Sequence, residues 1–541
     1  MISDNNYIFK PSEIPPIAGS PAALQHSKSK KRRYFLIGAF LALTSGIQNG
    51  LLTASLPLLT GTLGLSQEQA GWVQVSYFMT YACMGVAFFK VRQHFGLYRF
   101  IRWMLLLMLL SNLLQSLQNN YYIELVARAI LGIGTSGLFV TGMYYIMQAY
   151  DGPKKLNAVL INIGIMQLGM PLSQLMVPFL FHDGNMEAIF LFQLAMVLIS
   201  SGLILRFPLP PSFIVKGITL QDLITFFCLA IGVALMCAFL VQGRIQWWTY
   251  SHLGYLLAGG IGFIGTAFLL DTTHDKPLFD WQLIFSPPML MFVVTAGLTR
   301  LLTSELNVGV SGLLSSLGVG YTQLTPYYLI ICSAAAFGAW LSVKNFNIQD
   351  LRRPVMLSML GIAIASWLDT RSSIDSLPYQ FYFSQALMSF SAFHFIGNIM
   401  IEGMVRTVAR SVDRMPTFIV MIALSQTFGA LTGMAIFNSV VKIQTNVHYA
   451  NIAAQVTPTD PLVMQFLQQN STAVLIQQMT KQATVEAYND LFTLIATIAT
   501  CAFCYLFIQW SYHRLRGENP LGKDIAAMGQ NLRPQVPNEQ K

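Results

Sequence analysis

Four side chains between residues 394 and 406 repeat at a spacing of four: His394, Asn398, Glu402 and Arg406. On a helix that spacing draws one stripe, about three turns long. An imidazole titrates near neutral pH, and a shielded carboxyl can be brought there too. Side chains that each reach the next would therefore pass a proton along the stripe. The simpler alternative leaves its lower half as a solvated helix end, with Glu402 and Arg406 beside Arg410. Arg300 and Glu305 lie five residues apart, roughly 140° around a helix. Each is thus expected to find partners on other helices. Glu305 sits inside an apolar stretch, where an ionisable side chain is costly unless paired or functional. It is a candidate proton carrier, unless the helix breaks near 307–309 and leaves it at an interface. Glu124 and Arg128 stand at i, i+4, close enough for an ion pair. That pair either locks its helix, or Arg128 tunes a neighbouring acid or faces an anionic ligand. Tyr77, Met143, Tyr144, Met166 and Met170 would give a greasy, adaptable wall if they share a cavity, and ordinary packing if they do not.

The composition sets the kind of element that must hold these residues. Of 541 residues, 54% belong to the hydrophobic set and only 10% are charged, with a mean hydropathy of +0.54. A soluble chain carries about 25% charged residues, so this is a polytopic membrane protein. A crossing needs about 20 mainly apolar residues. Such segments fall near 34–56, 71–90, 101–118, 122–148, 156–181, 187–206, 220–242 and 251–270. Six more fall near 288–316, 321–343, 354–368, 379–404, 416–441 and 486–512, making fourteen. Open sheet edges cannot face lipid and the segments are too long for barrel strands, so an all-α bundle is expected.

Charge asymmetry orients that bundle. The chain has 32 Lys and Arg against 23 Asp and Glu. Only Arg244, Arg371, Lys442 and Lys481 fall in loops on the side opposite the termini, and Arg128 and Arg300 lie within segments. The positive-inside rule then puts both termini in the cytoplasm. The net charge of +9 is thereby explained without nucleic acid. A polar tail, 1–33, ends in the basic run 28–33 and lacks a signal peptide. A second tail covers 513–541, and a polar, Gln-rich, partly helical connection with a turn at 458–461 covers 442–485. That connection is either a solvated hairpin or a docking surface for a periplasmic partner. The cysteines, including Cys501 and Cys504, lie in or beside apolar segments with no second ligand pair, so no metal or cofactor is expected. No P-loop, His-Glu-x-x-His or Gly-x-Ser-x-Gly motif is present, which argues against an enzyme and against nucleotide-driven transport.

Four stretches carry a family resemblance: Thr53-Ala54-Ser55-Leu56-Pro57, Arg128-Ala129-Ile130-Leu131-Gly132-Ile133-Gly134, the glycine-rich run 426–433, and the entry to the last segment, 482–490. In order and spacing they resemble the 14-span drug:proton antiporters of the major facilitator superfamily, of the EmrB type, with QacA-like relatives. The resemblance covers residues 34–512. It implies a major facilitator fold with two six-helix bundles (34–206 and 286–512) and an inserted helix pair with linkers (207–285). It also implies proton-coupled export of hydrophobic or amphipathic toxic compounds, multidrug efflux, by alternating access across a bacterial inner membrane. An EmrA-like periplasmic adaptor and an outer-membrane channel would be partners. By the superfamily's repeat logic the first, fourth, ninth and twelfth segments line the central cavity. That would gather Gln48, Glu124, Arg128, Arg300, Glu305, His394 and Asn398 there.

Several positions depart from the pattern. Gln48 and Asn49 occupy the region where the family carries an Asp in its first segment, and an amide cannot cycle a proton. Gln93 stands where the loop after the second segment usually has Asp, and Gln426 where relatives often have Arg. Coupling is therefore expected to have moved to Glu305 and His394, with Glu402 and Glu124 as further proton candidates. Gln48, Asn49, Arg128, Arg300, Asn398, Gln426, Tyr144 and Met170 are the candidates for the substrate cavity. Two arginines and a histidine would tilt such a cavity toward neutral or anionic amphiphiles. Other readings are a dedicated exporter of one metabolite, such as a siderophore or fatty acid, or a transport-inactive sensor or scaffold.

Overall fold

Backbone amides in lipid find no water, so each apolar stretch must close its hydrogen bonds within a helix. The computed structural model describes residues 9–531, other than 11–12, 16–18, 23, 118–119, 152–154, 182–185, 216, 275–276, 412–413, 458–459 and 518. Each of the fourteen expected segments is occupied by helix. The first set comprises α1 (Lys28–Thr62), α2 (Gln67–Phe95), α3 (Leu97–Ser116), α4 (Tyr121–Met147), α5 (Lys155–Gln167), α6 (Gly169–Leu180) and α7 (Glu187–Arg206). A pair follows, α8 (Leu220–Gln246) and α9 (Ser251–Thr272), then the single turn α10 (Trp281–Ile284). The second set holds α11 (Pro287–Thr303), α12 (Glu305–Val308), α13 (Val310–Ser316), α14 (Thr325–Lys344), α15 (Arg352–Asp369) and α16 (Tyr382–Arg410). It closes with α17 (Met415–Gln455), α18 (Pro461–Gln469), α19 (Thr472–Leu515) and α20 (Gly522–Asn531).

Eleven helical runs are long and apolar enough to cross a membrane, and α2, bent by 53° between Gly85 and Ala87, makes a twelfth. The two remaining segments, α15 and α16, are helical but too polar to qualify on composition, α16 because it carries the stripe. Length and hydropathy in the structure thus support eleven or twelve crossings, not by themselves the fourteen read from the sequence.

Local chemistry explains where helices start and touch. Ser66 with Gln69, and Thr219 with Asp222, form capping boxes at the starts of α2 and α8. Gly96, at φ +84°, makes the sharp turn from α2 to α3 that a side chain would resist. A Cβ on Gly132 would lie 2.5 Å from the Tyr77 carbonyl oxygen, and one on Gly134 would lie 2.3 Å from the Met108 side chain. The two glycines of the fourth-segment motif therefore seat α4 against α2 and α3. The α1–α7 helices pack mainly with one another, as do α11–α17 and α19, while α8 bridges α2 of the first set and α17 of the second.

The face on which the described residues 19–33 and 513–531 lie also carries most of the basic residues, and is called the basic face below. There the N-terminal arm folds under the first bundle. Gly19 N–H donates to the Phe213 carbonyl at 2.7 Å and Ala22 N–H to the Pro211 carbonyl at 2.9 Å. Helix α20 closes under the second bundle, where the Asn531 amide donates to the Val408 and Ala409 carbonyls and Arg406 meets Asp524 at 3.5 Å.

On the opposite face, residues 442–485, expected as a polar, partly helical connection, are helix over most of their length. α17 runs unbroken to Gln455 and α19 begins at Thr472, with α18 between them. Residues 442–455 of α17, about 21 Å at the α-helical rise, and 472–482 of α19 are exposed or half-buried there. His448 ties the two, meeting Asp490 at 2.7 Å and Glu486 at 3.1 Å. Part of the turn at 458–461 lies outside the described residues.

Candidate functional site

The two bundles meet on the basic half. Leu160 of α5 packs with Ile401 and Val405 of α16, and a Cβ on Gly85 of α2 would sit 3.1 Å from Ile419 of α17. On the opposite half α6 still packs against α14, and beside that contact lies a cleft of about 240 Å³ that is open to solvent. Thr53, Ala54 and Pro57 of α1 form one wall of its mouth, and Ser311, Ser315 and Tyr328 the other. Met170, Gln174 and Asn307 continue inward to a deeper recess lined by Gln167, Arg300, Thr303 and Phe393. Among the described residues Arg300 is the only charged side chain lining either part, and no carboxylate pairs with it. The Tyr81 phenol is its electrostatic neighbour. Such a cleft can hold an apolar body against Met170 and Phe393 with a polar or anionic end toward Arg300.

Behind the wall formed by α12 lies a second constellation. The expected ninth segment is not one helix: it breaks at Ser304 and again at Gly309. Ser304 and Thr303 turn their hydroxyls back onto the Leu301 and Arg300 carbonyls. The break does not carry Glu305 to an interface, because Glu305 is 0% exposed. Its Oε1 accepts from Val310 N–H at 3.3 Å, capping α13, and from Gln385 Nε2 at 3.1 Å. The same Gln385 nitrogen donates to Asp369 Oδ2 at 3.0 Å, while the Tyr327 hydroxyl donates to Gln385 Oε1 at 3.3 Å. Arg300 and Glu305 do turn to different neighbours, Arg300 into the cleft and Glu305 toward α16.

The polar stripe of α16 is not a continuous relay. Asn398 Nδ2 donates to Ser342 Oγ at 3.0 Å and to the His394 carbonyl at 3.1 Å, not to Glu402. The His394 ring stacks on Phe390 and reaches the Gly338 backbone, so it faces α14 and not the cleft. Glu402 is bound to Arg406 at 2.7 Å and to Arg352 at 3.7 Å, a network that joins α15, α16 and, through Asp524, α20. The stripe divides because its upper half packs on α14 while its lower half meets the basic face.

Other candidates fall outside the cleft as well. Gln48 Nε2 donates to the Gln193 carbonyl at 2.9 Å, and Gln193 Nε2 returns a bond to the Gln48 carbonyl at 3.4 Å, stapling α1 to α7. Among the described residues the half-buried Asn49 has no partner for its carbonyl oxygen, and Gln426 none for either amide atom. Glu124 and Arg128 form a direct ion pair buried within the first bundle. Tyr144 lies at the basic face, 5.0 Å from the Arg92 guanidinium and bonded to Ser20. Of the residues proposed for the cavity, Arg300 and Met170 line it. Gln167, Gln174 and Asn307 line it too, although sequence had not singled them out; their only signal was an amide within an apolar helix. Asp369 and Gln385 were also missed, since Asp369 ends its segment and looked interfacial.

Two helical bundles with a cleft between them are the architecture of a membrane transporter. The sequence model described as "Major Facilitator Superfamily" matches residues 38–435, and the chain belongs to that superfamily. It is a non-enzymatic, multi-pass membrane transporter. It is similar to the "Colistin resistance protein EmrB" of Acinetobacter baumannii, 23% identical over 428 residues that cover 74% of this chain and 81% of that protein. Among solved structures it resembles tetrameric PepTSo2, at a TM-score of 0.56 with 12% identity, over 90% of this chain and 99% of that one. It also resembles the human organic anion transporter MFSD10, at a TM-score of 0.52 with 13% identity, over 88% and 100% of the two chains. A bacterial homologue of the human lysosomal transporter Spinster, in an inward-facing and unoccupied conformation, gives a TM-score of 0.51 at 13% identity, over 90% and 99% of the two chains. At these identities the solved structures establish the fold alone.

Proposed function

We propose that the protein exports hydrophobic or amphipathic compounds from the cytoplasm of a bacterium across the inner membrane in exchange for protons, with both termini cytoplasmic. The observation that carries this reading is the cleft between α1 and α6 of one bundle and α12–α14 of the other, which opens to solvent on the half opposite the basic face. With the basic face toward the cytoplasm the cleft faces outward in this reading, and rocking the bundles about Leu160, Gly85 and Ile419 would turn it inward. Its apolar lining suits adaptable binding of amphiphiles, and Arg300 favours those with a neutral or anionic polar end. The similarity to a colistin resistance protein supports export of toxic compounds. The buried Glu305, one residue before the cleft-lining Leu306 and Asn307, is the coupling carboxyl in this reading. His394 and Glu402, facing α14 and the basic face, take structural roles. The paired extensions of α17 and α19 offer a surface for a periplasmic adaptor that leads to an outer-membrane channel.

A lone cation in an otherwise uncharged cleft also suits one dedicated anionic substrate, such as a carboxylate-bearing metabolite. Accumulation of fluorescent amphiphiles in an efflux-deficient host separates the readings. Lower accumulation across several dyes, reversed by a protonophore, supports multidrug export. Unchanged accumulation of every dye, with a co-expressed adaptor also present, favours the dedicated substrate.

A further inference from the structure

Gln385 has two amide hydrogens and gives one to each acid, Glu305 at 3.1 Å and Asp369 at 3.0 Å. Its carbonyl oxygen is already taken by the Tyr327 hydroxyl, which fixes the amide orientation. Gln385 therefore meets both carboxyls as a donor, through Nε2. Glu305 is 0% and Asp369 3% exposed, and among the described residues neither has a Lys, Arg or His partner. The titratable neighbours are Tyr327 on α14 and, against Gly312 of α13, Tyr488 on α19. Arg371 and Asp375, in the loop after α15, are exposed. Glu305 Oε2 is buried and has no hydrogen-bond partner. Two unpaired charges in one buried pocket repel each other and lose hydration with no cation to compensate. An unbonded oxygen is least costly on the neutral acid, so the resting proton belongs on Glu305.

We propose that Glu305 and Asp369 form one proton-binding site, bridged by the Gln385 amide, and that this pair, not a lone carboxyl, carries the exchanged proton. The inference rests on the proton-coupled reading above. The pair alternates between one bound proton, with a net charge of −1, and two, with none, so it carries one proton per cycle. Asp369 ends α15 on the half where the cleft opens, which makes it the entry point from that side. Glu305 is the point of coupling. It caps α13 through Val310, and the residues that follow it, Leu306 and Asn307, line the cleft. Adding the second proton changes the charge held against the broken helix that forms the cleft wall.

The test uses the full-length protein reconstituted in lipid vesicles. Infrared difference spectra across a pH step read protonated carboxyls and need no substrate. Wild type should show a protonated-carboxyl band that Glu305→Gln and Asp369→Asn each shift and only the double variant removes, while Asp369→Glu restores it. In parallel, an entrapped pH dye follows protons released on addition of anilinonaphthalene sulfonate. Asp369→Asn should fall to the level of protein-free vesicles, and Asp369→Glu should recover flux, which also shows that the site folds. If Asp369→Asn leaves both the band and the flux at wild-type values while Glu305→Gln abolishes them, the shared site is wrong and Glu305 acts alone. If wild type moves the probe with no proton flux while the band behaves as expected, it is the proton-coupled reading that fails.

Discussion

Removing one member of the Glu124–Arg128 pair separates a structural lock from a transport role. Glu124 is 4% exposed and Arg128 1%, they are in direct contact, and Glu124 stands in the first turn of α4, where its charge favours the helix N-terminus. Glu124→Gln leaves a guanidinium that cannot shed its proton inside the bundle, beside an Nη1 that already lacks a partner. Breaking a buried pair this way costs about 3–5 kcal/mol. Arg128→Met should cost less, because the orphaned carboxyl can take up a proton and become neutral. The double variant Glu124→Leu/Arg128→Met removes both desolvation terms and should fall near wild type or up to about 4 kcal/mol above it. The cycle is read by denaturant unfolding of purified protein in detergent, followed by tryptophan fluorescence, with export assayed in parallel. A lock predicts that the double variant recovers both folding and export. The reasoning is refuted if Glu124→Gln unfolds within about 0.5 kcal/mol of wild type, or if the double variant is no better than the worse single one. Recovered folding without export would give the pair a transport role.

Arg300→Gln should weaken binding of an anionic amphiphile by about tenfold or more, the loss of one charge-assisted bond, and leave a neutral amphiphile almost unaffected; quenching titrations on purified protein measure both. Gly46→Val should lower the unfolding temperature and the yield sharply, since a Cβ there would lie 1.9 Å from the Met166 carbonyl oxygen where α1 crosses α5 and α6. Gly164→Ala, whose Cβ would meet Ala339 at an ordinary 3.4 Å, should be tolerated. The hydrogen bond from Lys31 holds the exposed Asp151 carboxyl below its ordinary range. A carboxyl depressed by folding contributes stability above its unfolded pKa and loses it as pH falls through the folded value. The small difference in thermal stability between wild type and Lys31→Ala should therefore be present at neutral pH and vanish in acid.

What the sequence revealed follows from which property each feature depends on. Apolar length is a property of the chain alone, so all fourteen helical segments were visible, and the charge bias marked the basic face. The angle at which a helix faces its neighbours is not so visible when its whole circumference is apolar. Gln48, placed by the superfamily's repeat logic in the cavity, points instead to Gln193 on α7. The stripe on α16 was legible as spacing, but Ser342 and Arg352, which divide it, lie on other helices. Glu305 announced itself as an acid in an apolar run. The break that caps it depends on Ser304 and Gly309, and its partner Asp369 sits at a helix end, where acids are ordinary. Gln385 was invisible because one amide in a helix gives no sign of what it bridges.

Exchange of substrate for protons through the cleft above Arg300 is measured by imposing a pH gradient on vesicles that contain the purified protein. An anionic amphiphile should move up its own gradient, against the direction of proton flow, and dissipating the pH difference should stop it. Movement that continues at the same rate without the gradient, or none at all while the protein remains folded and binds the probe, would contradict the account.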